Sequence, residues 1–390
     1  MKPQGEQPNT ILFIDDEVNI LNALKRELHD WAKEGDIILQ TASSAREGLG
    51  VVEASPERIA VIVSDLRMPE MKGSDFLLEV KRRWPNIVTI LLTGFSEAGE
   101  VMKAVQAGIS AYILKPWESG YLKAELDKAI ATRRLRMEND SYARTLEEEL
   151  RWAGEMQRAL LRPAPLKAEG LEFRTSYRPL KGLYCGGDYY DVIAIGAGRF
   201  LILVGDVAGH GLKAAFVTGI LKAIIYPEYV RNQIGKRFSP AGFLSWLNER
   251  LNFELRQTSD LLVSFFAGVL DRSALTFTYS NAGQEHPFIV SKGVSRELPV
   301  SGSALGFAQS SMYSERTEQL VDGDIIVLNT DGLVEAGASK GSAPVLSLRD
   351  ILVGVPYGAE YHKRLLERAL EMSGAQDFDD DVTIVTARIE

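Results

Sequence analysis

The stretch Ile59-Ala60-Val61-Ile62-Val63-Ser64-Asp65 is a continuous apolar run that ends in a carboxylate. A short run of this kind is typical of a strand buried on both faces of a parallel sheet. Similar runs, separated by longer amphipathic stretches, occur at 11–14, 37–39, 88–92 and 111–114. This alternation predicts an α/β fold with a doubly wound, five-stranded parallel sheet, which binds ligands at the carboxyl ends of its strands.

Acidic residues gather at these strand ends. Asp15 and Asp16 follow the first run and Asp65 ends the third, while Thr93 and Lys115 follow the fourth and fifth. Because three carboxylates repel one another, the pocket predicts a bound cation, and oxygen ligands favour Mg²⁺. A carboxylate can attack phosphorus, and a hydroxyl and a lysine can bind the oxygens of the attached phosphoryl group. We therefore interpret the pocket as a phosphorylation site, although each residue alone could be a helix cap or a solvated charge.

The segments around these residues resemble the receiver domain of two-component response regulators over residues 10–130, after a flexible tail at 1–9. The matching segments are Ile14-Asp15-Asp16-Glu17, Ser64-Asp65-Leu66-Arg67-Met68-Pro69-Glu70-Met71-Lys72-Gly73, Leu92-Thr93-Gly94 and Tyr112-Ile113-Leu114-Lys115-Pro116. The resemblance implies that Asp65 accepts a phosphoryl group from a sensor histidine kinase. It also implies a Mg²⁺ ion held by Asp16, Asp65 and the Arg67 carbonyl with help from Asp15, and a relay through Thr93 and Tyr112 to the face near Lys115.

Residues 119–161 contain no proline and only two glycines, so they predict a connecting helix about 60 Å long. Apolar residues recur with the 3 and 4 spacing of a coiled-coil seam at Leu122, Leu126, Ile130, Tyr142, Leu146, Leu150, Ala153, Met156 and Leu160. This spacing favours a coiled coil that makes a homodimer, and the alternative is a helix packed on its own domain. Asn139 and Asp140 are weak helix formers, so residues 137–141 are a candidate hinge.

Pro163 and Pro165 are expected to end this helix and to open a β-rich part that covers 163–390. Its apolar runs lie at 200–204, 262–270, 275–279, 325–328 and 382–389, with helical stretches at 214–226 and 240–255. Strands grouped with few intervening helices predict an α+β fold, here an αββα sandwich.

A second set of acids lies beside glycines in this part of the chain. The set comprises Asp188, Asp206, Asp331 and the run Asp379, Asp380 and Asp381. Glycines let the backbone approach an ion or a phosphate closely, and a pair of divalent metals would acidify water enough to attack a phosphoester. Asp-Gly pairs can also be plain turns, as we expect for Asp322-Gly323. The joint pattern predicts a metal-dependent hydrolase.

The pattern resembles the metal-dependent PPM (PP2C-like) serine/threonine phosphatases, in the bacterial branch that includes SpoIIE and RsbU. The matching segments are Gly186-Gly187-Asp188, Gly205-Asp206-Val207-Ala208-Gly209-His210-Gly211, Asn281-Ala282-Gly283, Ser303-Ala304-Leu305-Gly306, Thr330-Asp331-Gly332, Asp380-Asp381-Val382-Thr383 and the preceding 155–161.

The resemblance implies a site with two or more Mn²⁺ or Mg²⁺ ions, held by Asp188, Asp206, the Val207 carbonyl, Asp331 and Asp380. Because the acids are consecutive, Asp381 could replace Asp380. Near relatives also imply a substrate, namely a phosphorylated STAS-domain anti-sigma-factor antagonist of a partner-switching pathway. His210 is expected to be structural, and the role of Asp191 stays open.

Composition narrows the classes of function. The net charge of -9 argues against a nucleic-acid-binding surface, and Cys185, the single cysteine, cannot form an intramolecular disulfide. With no apolar run near ~18 residues and no basic region before an apolar stretch at the amino terminus, we expect a cytoplasmic protein that does not enter membranes.

Two rival functions use the same segments differently. Gly186-Gly187-Asp188-Tyr189-Tyr190 superficially resembles the GGDEF hairpin of diguanylate cyclases, but that function leaves Asp331 and the terminal acids without a role. The other rival is a receiver-controlled, non-catalytic adaptor that binds a sigma-factor regulator through a phosphatase-like domain. Because the predicted metal ligands are all present, the sequence favours catalysis.

Overall fold

The strand that ends at Asp65 lies at the centre of a parallel sheet in the computed structural model, which describes residues 9–94, 98–106, 108–161, 168–196, 198–254, 261–338 and 345–390. The chain divides into two compact units, Met1–Leu146 and Glu147–Glu390. Of the predicted tail, Asn9 already belongs to the first strand, and residues 1–8 lie outside the described part, as do Pro163 and Pro165.

Strands and helices alternate through the first unit. In chain order the elements are β1 (Asn9–Ile14), α1 (Val18–Gly35), β2 (Ile37–Ala42), α2 (Ala45–Ala54), β3 (Ile59–Asp65), α3 (Gly73–Arg83), β4 (Val88–Thr93), α4 (Ala98–Gln106), β5 (Ala111–Leu114) and α5 (Ser119–Leu161). The strands pair in parallel in the order β2-β1-β3-β4-β5. The predicted doubly wound sheet is therefore confirmed.

Burial of β3 on both faces explains its unbroken apolar run. Ile62 packs in a core with Leu12 and Phe76, whereas its neighbours Val61 and Val63 belong to a core on the opposite face of the sheet. Successive side chains of a strand point to opposite faces, so both faces need apolar residues when helices cover both.

Helix α5 is continuous for 43 residues and passes through the predicted hinge at 137–141 without a break. Leu122 and Leu126 are buried in the core of the first unit. The start of α5 therefore packs on its own domain, which was the alternative to a coiled coil. Leu161, at the other end, belongs to the core of the second unit. Between them, Tyr142 and Leu146 are 76% and 57% exposed.

The second unit contains two five-stranded sheets. Its elements are β6 (Leu171–Arg178), β7 (Asp188–Gly196), β8 (Arg199–Val207), α6 (Leu212–Ile224), a π-helical turn (Ile225–Val230), α7 (Arg231–Gln233), α8 (Pro240–Glu254), β9 (Val263–Asp271), β10 (Thr276–Ala282), β11 (Phe288–Ser291), β12 (Val294–Glu297), β13 (Arg316–Gln319), β14 (Ile325–Asn329), a 3₁₀ turn (Asp331–Leu333), α9 (Leu348–Leu352), α10 (Tyr361–Ser373) and β15 (Val382–Ile389). The first sheet has the order β13-β10-β9-β8-β7 and the second β12-β11-β14-β15-β6, and paired strands are antiparallel.

Strand β14 shows how the layers stack. Ile326 and Leu328 enter the large core shared by the two sheets, whereas Ile325 and Val327 pack under α9 and α10. Helices α6 and α8 pack on the first sheet. The arrangement is the predicted αββα sandwich. No helix in the described residues has the length and apolar character that crossing a membrane requires.

Candidate active site

The pocket of the first unit brings three of the predicted residues into contact. The Lys115 ammonium lies 2.5 Å from Asp65 Oδ1 and 2.7 Å from Asp15 Oδ2. Burial raises the pKa of Asp65, and Lys115 offsets part of that rise. Lys115 therefore places a positive charge between two neighbouring carboxylates.

Backbone amides hold the two carboxylates in place. Glu17 N–H donates to Asp15 Oδ1 at 2.9 Å, and Arg67 N–H donates to Asp65 Oδ2 at 2.7 Å. A Cβ atom on Gly73 would lie 1.7 Å from the Asp65 carbonyl oxygen, so the chain needs glycine there to pass behind the strand end.

The other predicted residues of this pocket differ in position. Thr93 is buried at the end of β4, next to β3, and Asp16 is exposed beside Asp15. Tyr112 is 46% exposed on β5, where it lines a surface cavity rather than the acidic pocket. Residues 95–97, which follow Thr93-Gly94, lie outside the described part.

In the second unit, the predicted metal ligands come from both sheets. Asp188 and Asp206 face each other in the β7–β8 ladder. Asp188 is buried, and its Oδ2 accepts hydrogen bonds from Thr330 Oγ1 at 2.9 Å and Thr383 Oγ1 at 2.7 Å, which belong to the other sheet. Burial raises the pKa of Asp188 well above its usual value, and Asp206 raises it further.

Asp206, Asp331 and Asp380 also influence one another electrostatically. Burial raises the pKa of Asp206 to about 8, with Asp331 and Asp380 as the next causes. Burial raises the pKa of Asp331 to about 6, and Asp380 adds to the rise. Because neighbouring carboxylates add to the raised pKa of Asp206 and of Asp331, this end of the sandwich favours a cation.

Asp380 and Asp381 have different surroundings. The buried Asp381 carboxylate accepts hydrogen bonds from Leu180 N–H and Gly187 N–H, both at 2.8 Å. A Cβ atom on Gly186 would lie 1.8 Å from Asp381 Oδ2. Asp380 is exposed toward Asp206 and Asp331. The geometry favours Asp380 as the ligand and Asp381 as the residue that holds the Gly186-Gly187 turn.

Oxygen atoms converge beside Gly187. The Val207 carbonyl, the Gly209 carbonyl and Asp206 Oδ1 lie 2.6, 3.0 and 3.1 Å from the position that a Cβ atom on Gly187 would occupy. Among the described residues, Asp188 Oδ1 is buried without a hydrogen-bond partner. Hard oxygen donors and a buried, unpaired carboxylate oxygen suit Mg²⁺ or Mn²⁺.

Within the described ranges, no three His, Cys, Asp or Glu side chains converge closely enough to hold an ion.

A cavity of about 160 Å³ opens beside these carboxylates. Its lining comprises Asp206, Ala208, Leu262, Ser264, Gly283, Gln284, Glu285, Ala304 and Asp331. Of the described residues, no lysine or arginine contributes to this lining. His210 is exposed just before α6 and is not part of the lining either.

Gln157, near the end of α5, was not predicted as a site residue. Its side-chain amide donates to the Gly186 carbonyl at 2.7 Å and accepts from Gly186 N–H at 3.1 Å. It also donates to Thr218 Oγ1 on α6 at 2.8 Å. The segment 155–161 belongs to the family pattern, but no feature of the sequence predicts the contact between Gln157 and Gly186.

Asp191, whose role the sequence left open, forms a buried ion pair. Lys222 Nζ on α6 lies 2.6 Å from Asp191 Oδ2, and Val192 N–H donates to Oδ1 at 3.0 Å. Burial raises the pKa of Asp191, and Lys222 offsets part of that rise. Asp191 therefore joins α6 to β7 and is not directed at the cavity.

Comparison with known proteins identifies both parts. The family model of Stage II sporulation protein E (SpoIIE) matches residues 196–390, which is half of the chain, and the model of the response regulator receiver domain matches residues 11–127. The SiaA-PP2C domain of Pseudomonas aeruginosa is a similar fold, with a TM-score of 0.53 at 22% identity over 64% of this chain and 99% of that one.

Two relatives illustrate the similarity of this chain to a phosphatase and to a transcriptional regulator. The phosphoserine phosphatase RsbU of Bacillus subtilis (strain 168) is 25% identical over 248 residues, which cover 62% of this chain and 71% of RsbU. The hydrogenase transcriptional regulatory protein HoxA of Cupriavidus necator is 36% identical over 127 residues, or 32% of this chain. The chain spans only 25% of the length of HoxA. The chain thus belongs to the SpoIIE family, and it carries a response regulator receiver domain ahead of a PP2C-like domain.

Proposed function

We propose that the protein is a two-component response regulator in which phosphorylation of Asp65 controls a metal-dependent phosphoserine/phosphothreonine protein phosphatase. One observation carries the enzymatic part of the proposal. Asp206 on β8 and Asp331, just after β14, line one small cavity, and the buried Oδ1 of Asp188, the register partner of Asp206, has no hydrogen-bond partner among the described residues. The likeness to RsbU, a phosphoserine phosphatase, supports the same reaction.

Asp188, Asp206, Asp331, Asp380 and the Val207 carbonyl would hold two or more Mn²⁺ or Mg²⁺ ions. When bound, such ions would acidify a water molecule for attack on phosphorus and neutralise the phosphate oxygens. The protein's own residues orient these ligands. Thr330 and Thr383 fix one oxygen of Asp188, and its other oxygen would be left to bind an ion.

No side chain needs to become a covalent nucleophile. Among the described residues, Ser264 is the one hydroxyl side chain that lines the cavity, and its Oγ donates to the Gln284 side chain. A serine nucleophile requires an adjacent base that removes its proton, whereas this amide oxygen can only accept a hydrogen bond. The arrangement favours direct attack by water.

Asp206→Ala tests the proposal, with Asp322→Ala as the matched control. Asp322 pairs with Arg272 on the surface, so its loss should leave activity unchanged. Asp206→Ala should lower Mn²⁺-dependent hydrolysis of phosphoprotein at least about a hundredfold, because even residues behind a ligand contribute 10- to 100-fold. Full activity in Asp206→Ala, or none in the wild type with Mn²⁺, would refute the proposal.

The controlling part of the proposal rests on the first unit. Asp15, Asp16, Asp65 and the Arg67 carbonyl would hold Mg²⁺, and a sensor histidine kinase would donate the phosphoryl group to Asp65. A phosphoryl group on Asp65 would replace the Asp65 carboxylate as a partner of Lys115, which pairs with Asp15 and Asp65. Thr93 and Tyr112 would relay this change within the receiver.

Helix α5 is the proposed connection between phosphorylation and catalysis. Its start is buried in the core of the first unit, and Gln157 near its end holds Gly186, two residues before Asp188. A change in the pairing or angle of α5 would therefore alter the turn that positions Asp188. The exposed Tyr142 and Leu146 suit a coiled coil with a second copy of the chain.

A phosphorylated STAS-domain anti-sigma-factor antagonist is the proposed substrate. The support is the resemblance to the branch of phosphatases that includes SpoIIE and RsbU, together with the match to the SpoIIE family. A non-catalytic adaptor would not need Asp188, Asp206, Asp331 and Asp380 to be present together. Incubating the protein with a panel of phosphorylated STAS proteins and other phosphoproteins distinguishes the two functions.

A further inference from the structure

The floor of the cavity contains an amide that links the two sheets. Gln284 is 8% exposed and lies in the connection between β10 of the first sheet and β11 of the second. Its backbone is held by Asn281, whose Oδ1 accepts from Gln284 N–H at 2.7 Å and whose Nδ2 donates to the Gln284 carbonyl at 2.8 Å. These two hydrogen bonds fix the backbone from which the Gln284 side chain extends.

The two ends of the Gln284 amide contact different sheets. Oε1 accepts a hydrogen bond from Ser264 Oγ on β9, and Ser264 is the register partner of Asp206 on β8. Nε2 donates to the carbonyl of Asn329 at 3.3 Å, at the end of β14 and two residues before Asp331. The amide thus lies between the strands that carry Asp206 and Asp331.

Thr330 and Thr383 link the second sheet to Asp188 on β7, and Gln284 makes a comparable polar link beside Asp206 on β8. Asp206 and Asp331 repel each other across this junction. Two hydrogen bonds from one rigid amide resist both separation and sliding. Glutamate would fit the same space but could not donate to the Asn329 carbonyl, and it would add another negative charge.

We propose that Gln284 is a positioning residue that sets the separation of Asp206 and Asp331, and thereby the affinity of the site for divalent metal. The inference rests on the metal site of the proposed function. Gln284 itself does not contact the reacting phosphate in this proposal. Its effect on the reaction passes through the geometry of the carboxylates.

Gln284→Met tests the inference, because methionine has a similar volume and keeps neither hydrogen bond. Mn²⁺ binding to the full-length protein is measured by isothermal titration calorimetry, alongside the melting temperature of the metal-free protein. We expect Mn²⁺ affinity to fall about 10- to 100-fold, the range seen when residues behind metal ligands are changed. Gln319→Met is the control. Gln319 lies on β13, at the edge of the sheet that carries Asp206, and donates to two carbonyls away from the cavity.

Two further variants keep the test decisive if Gln284→Met folds poorly. Gln284→Glu retains the acceptor for Ser264 and should still lose affinity, whereas Ser264→Ala should lose less. The double variant with Ser264→Ala and Gln284→Met should lose no more Mn²⁺ affinity than Gln284→Met alone. The reason is that both substitutions break the same Ser264–Gln284 hydrogen bond. Wild-type Mn²⁺ affinity in Gln284→Met and Gln284→Glu, or an equal loss in Gln319→Met, would overturn the inference. Normal Mn²⁺ binding without hydrolysis in the wild type would contradict the proposed function and leave this affinity test decisive.

Discussion

At the scale of single residues, the carboxylates beside the cavity retain protons to unusually high pH when no cation is bound. Burial is the largest cause, and repulsion between neighbouring carboxylates adds to it, so the pKa is about 8 for Asp206 and about 6 for Asp331. A metal ion must displace these protons before it binds. Proton and metal therefore compete directly for the same oxygens.

This competition predicts a pH dependence with a definite sign. Since Asp206 is protonated below its raised pKa of about 8, Mn²⁺ affinity should rise as the pH rises from about 6 to about 8. One displaced proton corresponds to about tenfold per pH unit. Calorimetric titration across this range measures the slope, and Asp206→Asn should reduce it. A flat profile in the wild type would contradict the assignment.

Substitutions of Asp380 and Asp381 should have different effects on metal binding and on stability. Asp380→Ala should weaken Mn²⁺ binding with little change in the free energy of unfolding, because Asp380 is exposed. Asp381→Ala leaves Leu180 N–H and Gly187 N–H without their acceptor, which should cost about 1–3 kcal/mol. Urea unfolding of the metal-free variants and Mn²⁺ titration measure the two effects, and the opposite pattern would assign the ligand role to Asp381.

At the scale of secondary-structure elements, the end of α5 acts on the β7 turn through one side chain. Gln157→Leu preserves helix propensity but leaves both backbone groups of Gly186 unpaired, so it should lower phosphatase activity and cost about 1–3 kcal/mol of stability. Arg158→Leu, on the exposed side of the same turn, is the control. Activity and urea unfolding are measured for both, and equal effects would refute a specific role for Gln157.

The middle of α5 should bind a second copy of the chain. Leu146→Glu places a charge in the apolar stripe and should shift the protein toward monomer, because burying an unpaired charge is costly. Ser141→Glu introduces the same charge at an exposed polar position of the helix and should leave the assembly unchanged. Sedimentation analysis of both variants gives the mass, and a monomeric wild type would contradict the coiled coil.

At the scale of the whole molecule, phosphorylation should change the phosphatase rate. Beryllofluoride, which mimics a phosphoryl group on aspartate, should alter the hydrolysis rate or the oligomeric mass of the wild type. Asp65→Asn should keep the basal rate and lose this response, because the acceptor carboxylate is gone. An unchanged rate and mass in the wild type would refute the coupling, whichever direction of control holds.

Much of the fold followed from local patterns. The apolar runs predicted the five parallel strands, because burial on both faces of the sheet demands them. Family motifs drew attention to Asp65 and Asp206, and the structure places both at strand ends. Helix α10 was not predicted, although its apolar face packs under β14 and β15.

Local sequence patterns predict the order of the two domains, the long connecting helix and the acids at strand ends. These features depend on residues that are neighbours along the chain. Only the tertiary structure shows that Asp380 and Asp381 have different surroundings, and only it reveals the contacts of Gln157 and Gln284. Asp381 meets Leu180 across 201 positions, and Gln284 meets Asn329 across 45. A buried polar group takes whichever partner the fold brings within hydrogen-bond distance, so local sequence does not specify that partner.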